Sequence, residues 1–149
     1  MANTGRRATG EDRRFGPSSR RTTLPTFQGP DIPVVVAATI DCNDLESQAR
    51  FWSRLLSVEI TEIGPEFAFL AYAPDRNTTV WLQRVPEPKA GKNRVHLDFA
   101  VPDLPAAEQR IVELGGSLGA RNQWEGYVWR TCHDPEGNEF DVMAMPEDA

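Results

Sequence analysis

The sequence has little cysteine, no long apolar run and no glycine-rich phosphate loop, and each absence removes a class of function. Two cysteines in 149 residues, Cys42 and Cys132, do not make a disulfide framework. They read as two small, partly buried thiols in a reducing cytoplasm. No stretch approaches the roughly 18 uninterrupted apolar residues of a membrane span, and the Arg-rich N-terminus lacks the apolar segment of a secretory signal. A cytoplasmic protein without membrane partners is expected. Gly115-Gly116 follows a helix and does not open one, so it is no phosphate cradle. No Gly-x-Ser-x-Gly nucleophile elbow is present. Cys132 stands beside His133, but adjacent strand residues point to opposite faces, a poor arrangement for Cys–His catalysis.

Positive charge is also scarce outside one segment. Residues 1–30 hold six Arg against Glu11 and Asp12, a net of +4, and the whole chain is −6, which leaves −10 for residues 31–149. Nucleic-acid binding needs clustered Lys and Arg on the folded part, so no nucleic-acid partner is expected. The arm, residues 1–30, is rich in Gly, Ser, Thr and Pro and reads as a flexible basic extension. Leu24 and Phe27 are its largest apolar residues near the body.

What the chain does have is a repeat of itself. Ile40-Asp41-Cys42-Asn43-Asp44-Leu45 runs from an apolar strand into a helix, and Phe99-Ala100-Val101-Pro102-Asp103-Leu104 does the same fifty-nine residues later. In each copy an Asp stands at the helix N-cap, where its side chain accepts from free backbone N–H groups. Three short strands follow each helix. A strand, a helix and three strands leave a curved sheet with an open face, so a second copy is needed to cover it, and two copies enclose a cavity.

The elements follow from patterning. Val34–Ile40 is a β-branched strand; Asp44 caps a helix to about Leu56, with Ala49, Trp52, Leu55 and Leu56 on one face. Val58–Ile63, Phe67–Ala73 and Thr79–Val85 are strands, and the Pro/Gly-rich residues 86–93 form a linker. The second module opens with Arg94–Val101. Its helix runs from about Leu104 to Leu114 and stops at Gly115-Gly116. Strands near Ser117–Arg121, Tyr127–Cys132 and Glu139–Met145 complete it, with Asp134-Pro135-Glu136-Gly137-Asn138 as a hairpin turn. The fold class is α+β with paired βαβββ modules, one domain over 31–149: module one 34–85, linker 86–93, module two 94–146.

Asn93-Arg94-Val95-His96-Leu97-Asp98, the Val85-Pro86-Glu87-Pro88-Lys89 linker and Asp134-Pro135-Glu136-Gly137-Asn138-Glu139-Phe140 resemble the vicinal oxygen chelate superfamily, which includes glyoxalase I, extradiol dioxygenases, fosfomycin-resistance transferases and bleomycin-binding proteins. The glyoxalase-like branch common in actinobacteria is the nearest in pattern. The resemblance covers roughly residues 34–146 and implies a small-molecule ligand and a homodimer. One fold of this kind hosts many chemistries.

In metal-using members the ligands come from the first and last strand of each module. Seven residues before Asp103 stands His96, a matching ligand position. Seven before Asp44 stands Ala37, which cannot bind metal. Asp141 matches the closing carboxylate, and its counterpart is Trp81, or Gln83 if the register slips by two. Two of four positions therefore hold ligand-capable residues, His96 and Asp141. Strand alternation puts Asp98 beside His96 and Glu139 beside Asp141, so these four are read either as an acidic divalent-metal cluster or as a metal-free polar pocket in which His96 bonds a carboxylate.

The rest of the cavity is read from the aromatic and basic residues. Trp52 belongs to the core; Trp81 is the candidate stacking wall for a planar ligand. Trp124 and Trp129 flank a hairpin at Glu125-Gly126. Arg94, Lys92 and Lys89 bring positive charge to a cavity mouth, or form a solvated linker. The expected site comprises His96 and Glu139 as catalytic candidates, His96 and Asp141 as metal candidates, and Trp81, Gln83, Arg94, Asp98 and Trp129 against the ligand. Three functions stay open: a metal-poor binding module, a metal-dependent lyase, isomerase or dioxygenase-like enzyme using His96 and Asp141, and a structural or regulatory dimerisation unit.

Overall fold

A computed structural model describes residues 35–72 and 78–144. Residues 1–34, 73–77 and 145–149 lie outside the described residues, and with them the arm and the expected strand start at Val34. The compact unit spans Asp31–Ala149.

The element order is β1 (Ala37–Cys42), α1 (Leu45–Leu56), β2 (Ile60–Ile63), β3 (Phe67–Leu70) and β4 (Thr79–Arg84), then β5 (Asp98–Val101), α2 (Leu104–Glu113), β6 (Ser117–Trp124), β7 (Tyr127–His133) and β8 (Glu139–Ala144). This is the expected α+β pair of βαβββ modules. The two sheets have the same strand order, β1-β4-β3-β2 and β5-β8-β7-β6. In each, the opening strand pairs parallel with the closing one, and the other neighbours are antiparallel.

The expected strand starts move. β2 begins at Ile60, not Val58, and β5 begins at Asp98, not Arg94, so His96 precedes its strand. The linker explains the second shift: Asn93 and Lys89 are tied to Glu139, which bends the chain over β8 before it can join the sheet. β6 runs three residues beyond Arg121, to Trp124. It is carried there by a tight turn in which Glu125 and Gly126 have φ of 45° and 89°, the positive-φ pair that a two-residue hairpin requires.

Both helices start as the sequence predicts. The Asp44 carboxylate accepts from Ser47 N at 3.0 Å and the Asp103 carboxylate from Ala106 N at 3.0 Å. Helix α1 packs on β2, β3 and β4, and α2 on β6, β7 and β8. Each sheet therefore has a closed face under a helix and an open face. Ala68, Leu70, Val80 and Leu82 are buried on the closed face of sheet one, and Cys132, Phe140 and Val142 on that of sheet two. Alternation turns Phe67, Phe69, Trp81 and Gln83 to the open side.

The two modules share one core. Trp52 of α1 sits 5.0 Å from Phe140 and 6.0 Å from Phe99, ring centre to ring centre, and Phe51 lies edge-on to it at 5.4 Å. The turn 134–138 clamps this joint. Asp134 Oδ1 accepts from the N–H groups of Glu136 and Asn138, and its Oδ2 from the Asn138 amide and from Trp52 Nε1. Glu136 accepts from the backbone N–H groups of Asn43 and Asp44, both at 2.7 Å, where the helix dipole favours a negative charge. Asn138 donates to Asp41 O across the same joint.

Asp134 is 3 % exposed, and removing it strands four donors at once. Asp134→Ala is expected to destabilise the protein by about 2–4 kcal/mol, read as a lower urea midpoint with an unchanged slope.

Candidate functional site

The sheet register resolves the position that the sequence leaves open between Trp81 and Gln83. Asp98 of β5 pairs with Asp141 of β8. The matching residue of β1 is Thr39, and Thr39 pairs with Trp81. Trp81, not Gln83, therefore occupies the place in module one that Asp141 occupies in module two. Ala37 matches His96 by the same fifty-nine-residue offset of the repeat.

In module two, three polar side chains meet. His96 Nε2 lies 3.4 Å from Asp98 Oδ1 and 3.5 Å from Asp141 Oδ2. The three residues offer ligand atoms that all lie within 4.8 Å of one another. Asp141 is buried, whereas His96 and Asp98 are about half exposed. The Asp141 N–H donates to Leu97 O at 2.8 Å, which draws the pre-strand segment carrying His96 against β8. So His96 reaches the cluster through this backbone bond, not through strand alternation.

Glu139 does not join them. Its carboxylate bonds Lys89 Nζ at 3.1 Å and the Asn93 N–H at 3.0 Å. Burial pushes this carboxyl up, and the Asn93 N–H and the Lys89 ammonium reverse that shift and hold it below the ordinary value. The expected four-residue cluster is a three-residue one, because the linker takes the fourth carboxylate.

Module one presents aromatic carbon instead. On its open face Phe69 meets Trp81 edge-on at 5.4 Å and stacks against Phe67 at 6.2 Å. Gln83 is half-buried beside them, opposite Phe67. The sequence reading finds Trp81 but passes over Phe67 and Phe69. The alternation Phe67-Ala68-Phe69-Leu70, small and aliphatic on one side and aromatic on the other, was the available signal. On sheet two, Trp129 lies between Met143 and Asn122 on the open face, and Trp124 at the hairpin end is 64 % exposed.

A cleft of about 690 Å³ runs between β1, the linker and the 134–138 turn. His96, Arg94, Lys92, Lys89 and Glu139 line it, with Thr39 and Asp41 from β1. Trp81, Gln83 and Trp129 are not among its walls. The three basic residues therefore stand at a cavity, with Lys89 already bonded to Glu139.

A family model described as a glyoxalase-like domain matches residues 37–143. The chain belongs to that family. Solved structures agree on the fold. A glyoxalase/bleomycin resistance protein/dioxygenase family enzyme from Burkholderia phytofirmans is 16% identical with a TM-score of 0.62, over 74% of this chain and 97% of that one. The fosfomycin resistance protein FosX from Mesorhizobium loti is 15% identical with a TM-score of 0.60, over 78% and 94%. A lactoylglutathione lyase from Agrobacterium tumefaciens is 16% identical with a TM-score of 0.58, over 77% and 96%. At such identity the likeness is one of fold. No curated protein matches the sequence. No helix among the described residues is long and apolar enough to cross a membrane.

Both cysteines are buried, Cys42 beneath the cleft. Burial pushes both thiols up to about 12, aided at Cys42 by the Glu136 carboxylate and at Cys132 by the Glu108 carboxylate. Neither is a thiolate at neutral pH. Iodoacetamide at pH 8 is expected to leave both unmodified in the native protein and to label both in 6 M guanidinium, as read by intact mass; labelling of the native protein contradicts this burial.

A second test concerns Glu139. Its lowered carboxyl contributes stability above the unfolded value of about 4.3, and that contribution is lost as pH falls through the folded value. Glu139→Gln is expected to lower the urea midpoint at pH 7, and the gap to the parent protein closes below about pH 4.

Proposed function

We propose that the chain binds a small organic molecule on the open sheet faces, without a complete metal site. The observation that carries this reading is the register: Trp81 stands where the closing carboxylate would stand, and Ala37 stands where an imidazole would. Half of a ligand set is thus replaced by a methyl group and an indole, and the indole extends into a strip with Phe69 and Phe67. Such a surface binds flat apolar groups by stacking and burial. Trp81 and Gln83 on one sheet and Trp129 and Asp98 on the other are the proposed contacts, with Arg94 at the cleft. A homodimer belongs to this reading, since a second copy would cover exposed apolar groups away from that strip, such as Trp124.

A second reading, a metal-dependent lyase, isomerase or dioxygenase-like enzyme, is favoured by the convergence of His96, Asp98 and Asp141. Donors each about 2.0–2.2 Å from one ion sit about 3–3.6 Å apart, and His96 Nε2 meets that spacing to both carboxylates. The three residues therefore fit a divalent ion, which would supply Lewis-acid polarisation of a substrate oxygen. In that case Asp98, the more exposed carboxylate, would complete the donor set of His96 and Asp141, and Glu139 holds the linker through Lys89 and Asn93. His96 and Asp141 remain the metal candidates, and the catalytic role expected of Glu139 becomes a positioning one.

Metal content separates the two. Inductively coupled plasma mass spectrometry of untagged protein, after incubation with divalent ions, is expected to find well below one ion per chain in both the parent and His96→Ala. A near-stoichiometric ion that His96→Ala removes would establish the second reading.

A further inference from the structure

The open face of sheet one carries more than an aromatic strip. In the row through Trp81, the register runs Glu62, Phe69, Trp81, Thr39 across the four strands. The next row runs Phe67, Gln83, Asp41. Residues opposite one another in a sheet share a face, so a carboxylate stands at either margin of the three rings. Glu62 and Asp41 are both exposed, and neither has an ion pair among the described residues. No strand position on this face holds Lys or Arg. The linker cations share a cleft with Asp41 but not with Glu62, and Lys89 is committed to Glu139.

Aromatic faces carry a negative potential that attracts a cation lying on the ring. Glu62, at the margin away from that cleft, deepens this potential. A flat anion would meet repulsion here, and a flat neutral molecule would gain only stacking and burial. We propose that this face takes a planar organic cation, such as a quaternised or protonated nitrogen heterocycle, stacked on Trp81, flanked by Phe69, which meets that ring edge-on, and with its charge toward Glu62. The proposal rests on the ligand-binding reading above and adds the chemical class of the ligand. It makes no use of the His96 cluster.

Three probes of nearly the same shape test it at pH 7.5: 1-methylquinolinium as the cation, quinoline as the neutral form and naphthalene-2-carboxylate as the anion. Isothermal titration calorimetry on the full chain is expected to give the cation an affinity about ten-fold above quinoline, with the anion weaker still. Trp81→Leu should weaken the cation about ten-fold or more. Glu62→Gln should bring cation and quinoline close together, and should flatten the dependence of cation binding on salt. Circular dichroism checks that both variants fold, and exposed Glu62 can change without disturbing the core. Equal binding of all three probes, abolished by Trp81→Leu, would overturn the cationic class and leave the ligand-binding reading standing. No binding by any probe would overturn both. If sedimentation then shows a dimer that Trp81→Leu dissociates, a second copy is what covers this face.

Discussion

The architecture depends on one buried carboxylate. Asp134 orders its own turn by accepting from two backbone N–H groups, and the same side chain accepts from the Asn138 amide and the indole of Trp52. Trp52 belongs to module one and its ring is packed against Phe99 and Phe140 of module two. The turn thus fixes both the depth and the rotation of α1 in the shared core. Glu136, two residues on, binds the start of that helix. A buried carboxylate with all its partners in place is favourable; one that loses them is costly. The relation between the two sheets, and with it every distance along the cleft, follows from this joint.

On that frame stand two unlike halves. The modules keep the same strand order and the same capped helices, so equivalent positions can be compared directly. Module two places His96, Asp98 and Asp141 together; module one holds Ala37, Thr39 and Trp81 at the matching places. One half is suited to charge and proton chemistry and the other to flat apolar surface. A protein with ligand-capable residues on one half only is better suited to holding an organic molecule than to gripping an ion from all sides. That asymmetry is the physical basis of the functional reading.

Much of this is legible in the sequence alone. The two Asp caps and the apolar runs around them imply the repeat, and the repeat implies the fold, because periodicity and capping are local. The correspondence of His96 with Ala37 needs only counting. What was not legible depended on contacts between distant segments. The Asp134 turn looks like an ordinary hairpin until Trp52, eighty-two residues away, is brought to it. Glu139 alternates with Asp141 as a ligand would, yet the linker claims it. The choice between Trp81 and Gln83 required the β1–β4 register, and a two-residue slip preserves the facing of every side chain, so patterning alone is blind to it. Phe67 and Phe69 were readable as a strand but not as an extension of the Trp81 surface, which only cross-strand pairing assembles.

The proposed function puts a small molecule on the open face of sheet one. The four tryptophans supply a direct readout, since each indole N–H gives its own signal in a ¹H–¹⁵N spectrum. Titration with 1-methylquinolinium is predicted to shift the Trp81 indole signal in a saturable way, while that of Trp52, buried and bonded to Asp134, stays in place. An unmoved Trp81 signal, or a Trp52 signal that shifts in its stead, would contradict the account.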